Sequence, residues 1–255
     1  MAELIIRQLN ALRDNYVYLL HDPDTDATAA VDPSEAAPVE RALAETGWRL
    51  THILNTHHHP DHTGGNLALK AKWDCTIVGP RADRARIPSI DIDLADGDEY
   101  AFGQQVARVF DVPGHTRGHI AFWFAGSRAL FSGDTLFTLG CGRLFEGTPQ
   151  QMWSSLSKLR ALPPETRVFC GHEYTQANAR FALTVEPGNA ALVDRSHRVD
   201  QLRAAGRPTV PATMGEERAT NPFLRADEPA LQAAMGAAGD AVATFAEIRR
   251  RKDVF

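Results

Sequence analysis

The stretch Thr56-His57-His58-His59-Pro60-Asp61-His62-Thr63-Gly64-Gly65 puts four imidazoles and a carboxylate within six consecutive residues. His57 and His59 are two apart, so an extended backbone sends both side chains to one side. Asp61 and His62, adjacent in a turn, can diverge from that pair and serve a second centre. Imidazole suits zinc, iron and similar metals, and a carboxylate adds negative charge and a harder oxygen. A His-rich surface loop is the bland alternative, but the internal position between a strand and a helix argues for a metal site. His58 alternates away and is expected to play a supporting, structural part. Gly64-Gly65 permits tight backbone packing where the loop enters the helix.

Three more candidate ligands each follow a small residue at the end of an apolar strand. They are His115 in Pro113-Gly114-His115-Thr116, Asp134 in Ser132-Gly133-Asp134-Thr135, and His172 in Cys170-Gly171-His172-Glu173. Singly, each would be an ordinary loop residue or helix cap. Together with the first motif they describe a convergent donor set. No Gly-x-Ser-x-Gly elbow offers a serine nucleophile. Cys75, Cys141 and Cys170 are odd in number and widely spaced, which implies neither a disulfide framework nor a thiolate zinc site.

The elements that must position these residues are short. Strands are expected at Leu4–Leu9, Asn15–Leu20, Thr28–Asp32, Leu50–Asn55, Thr76–Gly79, Val106–Val112, His119–Phe124, Ala129–Ser132 and Arg167–Cys170. Helices are expected from Ser34, as a cap, to Thr46 with Gly47 as the stop, at Gly64–Trp73, and at Pro149–Leu162. Beyond residue 172 the spacing turns helical: Glu173–Thr184, Asn189–Ala205, Pro229–Ala238 and Ala241–Arg250. No strand is expected there, and Pro208, Pro211 and Gly215 mark a long loop. Two domains follow, residues 1–172 carrying the candidate ligands and 173–255 forming a helical appendage.

The donor set resembles the metallo-β-lactamase superfamily, whose HxHxDH signature is met by His57, His59, Asp61 and His62. The resemblance implies an α/β (α+β) fold, an αβ/βα sandwich of two mixed sheets flanked by helices. It implies two divalent metal ions, zinc foremost, with iron or manganese as alternatives. One would be held by His57, His59, His115 and Asp134, the other by Asp61, His62, His172 and a bridging Asp134. Cations about 3.5–4 Å apart can share a hydroxide, because metal binding lowers the pKa of water to about 7. The same cations polarise a carbonyl and stabilise its oxyanion, so Asp61 and Asp134 are counted as catalytic with that hydroxide.

Four further runs narrow the resemblance. Gly140-Cys141-Gly142-Arg143-Leu144-Phe145-Glu146-Gly147, Gly171-His172-Glu173-Tyr174-Thr175, Asn221-Pro222-Phe223-Leu224-Arg225 and Arg249-Arg250-Arg251-Lys252-Asp253 are similar to the glyoxalase II family. That likeness spans nearly the whole chain and implies cleavage of the thioester S-D-lactoylglutathione to D-lactate and glutathione, the detoxification of methylglyoxal. It implies glutathione contacts from Arg143, Tyr174, Arg249 and Lys252, with Phe145 where some members carry Tyr. Loss of that hydroxyl is expected to cost about 1 kcal/mol of binding. Asn178 and Phe181, one helix turn apart, could line the same pocket or the helix core. Without the resemblance, Arg249–Lys252 would read as cations favoured by the dipole at a helix end.

Composition sets the outer limits. The chain has 255 residues, Lys+Arg 27 against Asp+Glu 32, and a net charge of −5. That balance disfavours a nucleic-acid partner and a basic exosite for RNA processing. The N-terminal residues lack the apolar run of a signal peptide or membrane span. A cytoplasmic monomer acting on a small-molecule glutathione thioester, with neither nucleic acid nor membrane as partner, is the expectation. The rivals are a lactonase or another dimetal esterase of the superfamily, and a non-catalytic scaffold, which should have lost ligands rather than kept all seven.

Overall fold

The computed structural model describes residues 2–255; Met1, the first residue of the expected 1–172 domain, lies outside them. The chain forms two compact units, one running through Asp111 and including Arg117–Gly133, the other made of Val112–Thr116 and Asp134–Phe255. The strand end carrying His115 and the chain from Asp134 onward thus belong with the helices.

In the first unit, β1 (Ile5–Ala11) and β2 (Asn15–Asp22) pair antiparallel around a tight turn in which Leu12 takes a φ of 48°. β3 (Ala27–Val31) pairs antiparallel with β2, and then the sheet turns parallel through β4 (His52–Leu54), β5 (Thr76–Pro80) and β6 (Ile92–Leu94). Each parallel step needs a crossover. α1 (Ala36–Thr46) makes the first, and α2 (Pro60–Thr63) and α3 (Asn66–Trp73) make the second. Val17, Leu19, Ala30, Ile53 and Ile77 of the sheet bury against Val39, Leu43 and Leu69 of the helices. A second sheet, β7 (Glu99–Phe102), β8 (Gln105–Asp111), β9 (Ile120–Phe124) and β10 (Ala129–Gly133), is an antiparallel meander. Its buried Phe131 meets Tyr18 of β2 at 5.5 Å between ring centres, so the inner faces of the two sheets share one core.

In the second unit, a hairpin of β11 (Leu136–Phe137) and β12 (Gly140–Cys141) precedes α4 (Pro149–Arg160), which Thr148 opens with a capping box. β13 (Arg167–Cys170) pairs antiparallel with β14 (Ala212–Thr213). The helices are α5 (Thr175–Val185), α6 (Ala190–Ala204), α7 (Met214–Thr220), α8 (Pro229–Met235) and α9 (Ala241–Asp253). Asn221 Nδ2 donates to the carbonyls of Phe137 and Gly140 at 3.2 and 3.0 Å, and Asn178 Nδ2 donates to Thr138 O at 3.0 Å. Glu217, paired with buried Arg195, accepts from Leu139 N at 2.9 Å. The hairpin is thereby clamped by side chains of α5 and of α7 with its C-terminal cap.

Four expectations are corrected. Ser34 does not cap α1; the backbone stays extended through Glu35 (φ −152°, ψ 155°), which holds the N-cap position without a side-chain bond and leaves Ser34 one residue outside it. Strands β6, β7, β11 and β12 are additional; β6 and β7 are short and carry charged residues that hide their pattern, and β11 and β12 are two residues each. β14 interrupts the helical region, and α7 occupies part of the expected loop, since Thr213 and Glu216 form a capping box.

Candidate metal and substrate site

The first donor set grows out of β4. After Leu54 the backbone is caught by Asp32, whose Oδ1 accepts from Thr56 N and whose Oδ2 accepts from Thr56 Oγ1, both at 2.7 Å. Asn55 Nδ2 donates to His62 O at 3.0 Å, tying the loop's start to its end. Gly64 and Gly65 press against the segment after β3. A Cβ on Gly64 would lie 2.4 Å from Ser34 O, and one on Gly65 would lie 2.8 Å from Pro33 O. Both contacts are backbone, so a side chain would force the ligand loop outward.

This framework settles the imidazole tautomers. Thr56 gives its hydroxyl proton to Asp32, so at 3.0 Å it can only accept from His57 Nδ1. His62 Nδ1 sits 3.1 Å from the Asp32 carboxylate, which also only accepts. Both rings therefore carry the proton on Nδ1 and present an Nε2 lone pair, the form a metal needs. His57 Nε2 lies 3.1 Å from His59 Nδ1, and His62 Nε2 lies 3.6 Å from Asp61 Oδ2. Asn15 Nδ2 steers Asp61 through bonds to its backbone O and Oδ2, each 3.1 Å. His58 turns away as expected. Its Nδ1 meets buried Asp83 at 2.7 Å, while its Nε2 accepts from Arg86 Nη1 at 3.2 Å.

The second donor set lies in the second unit. His115 Nδ1 donates to Arg143 O at 2.9 Å, leaving its Nε2 3.4 Å from Asp134 Oδ2. His172 Nε2 stands at the same 3.4 Å from that oxygen. Gly142 permits this, since a Cβ there would fall 2.0 Å from Asp134 O and 3.0 Å from His115 Nδ1. A tetrahedral zinc with donors at about 2.0–2.2 Å has donor–donor edges of about 3.3–3.6 Å. The separations within each unit fall at or just below that range, and every donor is an imidazole nitrogen or carboxylate oxygen. The residues fit divalent cations, with one Asp134 oxygen shared by two imidazoles.

The expected glutathione contacts also fall in the second unit. Arg143 is exposed and forms no ion pair among the described residues. The exposed Phe145 ring meets the His115 ring at 5.2 Å, and Tyr174 stacks flat on His172 at 4.7 Å and 3°. Arg249 is only 5% exposed; it donates to Cys141 O at 3.0 Å, pairs with Asp253 at 2.9 Å and lies over Phe223. Lys252 Nζ donates to Ala177 O at 3.2 Å. Burial, reinforced by the charges of Arg249 and Arg143, pulls the Lys252 pKa down to about 8. Asn178 serves the hairpin, and Phe181 is core with its face toward Lys252. Burial pushes the Cys141 thiol up to about 11 and Cys170 to about 12, so neither is a thiolate nucleophile near neutral pH.

Sequence reading passed over Asp32, Thr56, Asn15 and His119, whose ring stacks on His57 at 4.6 Å. Only Asp32 left a trace in the sequence, standing at a strand end before Pro33.

The metallo-beta-lactamase superfamily model matches residues 12–172, and the model described as hydroxyacylglutathione hydrolase C-terminus matches residues 173–255. A protein of Methylococcus capsulatus named hydroxyacylglutathione hydrolase is 63% identical over 253 residues, covering 99% of both chains. One of the same name from Rhodospirillum rubrum is 58% identical over 256 residues, covering 100% of both. Among solved structures, ETHE1 from Myxococcus xanthus superposes with a TM-score of 0.71 at 28% identity, over 96% of this chain and 90% of that one. TTHA1623 in a di-iron-bound form gives 0.60 at 28% identity, over 86% and 100%.

Proposed function

The chain belongs to the hydroxyacylglutathione hydrolases of the metallo-beta-lactamase superfamily, and from that membership we propose that it hydrolyses S-(2-hydroxyacyl)glutathione, chiefly S-D-lactoylglutathione, to the hydroxy acid and glutathione. The observation that carries this is the cationic cluster of the second unit, where Arg143 and Lys252 lie near enough to couple and form no ion pair among the described residues. Glutathione supplies two carboxylates. A guanidinium and an ammonium left without acidic partners are what such a ligand requires.

Seven residues would hold two divalent cations, zinc foremost: His57, His59, His115 and Asp134 for one, Asp61, His62, His172 and the shared Asp134 for the other. Bound there, the cations would acidify water and polarise the thioester carbonyl. Asp32 keeps His57 and His62 in the ligating tautomer, and Arg143 O does the same for His115. Tyr174 and Phe145 flank the donor residues with ring surface that excludes water from the acyl group. Lys252 and Arg143 bind the glutathione carboxylates. Arg249 is engaged with Cys141 O and Asp253, which supports a role in holding the hairpin and adding positive potential. The thiolate leaves readily, so no protein acid is required to protonate it. We retain 1–172 and 173–255 as the functional division, the family models meeting at that point, and place the enzyme in the cytoplasm.

The test is steady-state turnover of S-D-lactoylglutathione beside a glutathione-free thioester and a lactone. The reading requires kcat/KM for the glutathione thioester to exceed the others by at least about a hundredfold, the equivalent of two charge-assisted contacts. Equal or greater turnover of the lactone would replace it with the lactonase reading.

A further inference from the structure

The Lys252 ammonium lies between two aromatic rings, 5.1 Å from the centre of Phe181 and 5.3 Å from the centre of Phe255. Those rings meet each other edge to face, 5.5 Å apart at 66°. Phe181 is fully buried and belongs to the aromatic packing with Phe223. Phe255 is different. It is 64% exposed, a large apolar ring left in water beside a cation. Its ring meets the Phe181 ring and the Lys252 ammonium. The charged groups around the ammonium are Arg143 and Arg249, with Asp253 engaged by Arg249 and the Cys141 thiol neutral.

We infer that Phe255 is a positioning residue, the outer wall of a two-ring cage that holds the Lys252 ammonium partly out of water and aimed at a substrate carboxylate. A cation on an aromatic face keeps its charge while losing hydration, so an arriving carboxylate displaces less water and meets a stronger field. The lowered pKa of Lys252 agrees with such drying. Exposure of the ring leaves an edge at which a ligand can enter.

The inference rests on Lys252 as the carboxylate contact, and the experiment separates the two. Wild type, K252A, F255A and F255L, each metal-loaded, are compared by steady-state kinetics from neutral to alkaline pH and by calorimetric titration with glutathione. F255A is expected to raise KM and the glutathione Kd about three- to fivefold with kcat little changed, the size of a partly exposed cation–π contact. Its alkaline rise in KM should begin at higher pH than in wild type, because a wetter Lys252 holds its proton longer. F255L, which keeps apolar cover without a π face, should fall between. Because the Phe255 ring is mostly exposed, its truncation leaves the fold intact, and an unchanged melting curve verifies this. Should K252A weaken binding while F255A moves neither KM nor its pH profile, the cage is wrong. Should K252A itself leave KM and Kd unchanged, the reading of Lys252 falls and takes the cage with it.

Discussion

Asp32 Oδ2 lies 3.1 Å from His62 Nδ1 while the same carboxylate receives both donors of Thr56, so one buried acid governs two imidazoles of the HxHxDH loop. Its neighbour Thr56 passes the constraint to His57. Ligand orientation here depends on a residue that holds no place in the motif.

Asp32→Ala should therefore lower metal affinity by about 10- to 100-fold, the usual cost of removing a partner that orients a ligand. Competition with a chromophoric chelator measures it directly. An affinity within a factor of two of wild type would show that loop packing alone sets the tautomers. Asp32→Asn can accept from Thr56 but offers a weaker partner to His62, and its affinity should lie between.

Asp134→Ala removes the oxygen shared by His115 and His172. Metal content after dialysis should drop toward one ion or fewer, and kcat should fall by at least about a thousandfold. Stripping wild type with a chelator should reproduce the loss, and re-addition of zinc, iron or manganese should restore it to differing extents. Full turnover by the metal-free protein would refute the assignment.

In the proposed binding mode Lys252 sets the pH dependence of binding. With its pKa pulled down to about 8, it is cationic below that value and neutral above it. KM should accordingly be flat below about pH 8 and climb above it, while binding a carboxylate raises the pKa and takes up protons near pH 8. Lys252→Ala should raise KM about tenfold at neutral pH with little change in kcat. Lys252→Arg should abolish the alkaline climb, since arginine stays charged. Calorimetry in buffers of different ionisation enthalpy reads the proton uptake.

Glu217→Leu leaves Arg195 as a buried charge without its partner and strips the acceptor from Leu139 N and Asn221 Nδ2. The expected loss is about 3–5 kcal/mol of stability in urea unfolding, against a smaller loss for Glu217→Gln, which keeps a carbonyl acceptor. Because the clamp holds the β11–β12 hairpin next to Arg143, the Gln variant should also raise KM more than it lowers kcat. A melting profile unchanged by the Leu substitution would mean the ion pair contributes nothing net.

Much of this was legible from residue order. Strand periodicity located β1 to β5 and β8 to β10 within a residue or three, because each is apolar and bounded by turn residues. Helical spacing found α5, α6, α8 and α9 for the same reason. The misses have local causes. β6 and β7 are too short and too charged to show alternation, and β14 is two residues long and gains its identity only by pairing with β13. Ser34 looked like a cap because caps are read from type, whereas the extended backbone at Glu35 starts the helix one residue too late for its hydroxyl to serve.

For the candidate site, the sequence by itself determined the donor set, since ligand type and spacing are properties of a contiguous motif and of small residues ending strands. It also determined the family, through runs that extend into the helical region. What only the tertiary structure decided is which atoms those donors present. Asp32 is 24 residues from Thr56 and 30 from His62, and Arg143 is 28 from His115. No local pattern encodes which nitrogen of an imidazole keeps its proton. Arg249 and Lys252 illustrate the same limit. They are three residues apart in one cationic run, yet one is buried against Cys141 and Asp253 while the other is left between two rings, because packing distributes burial one side chain at a time.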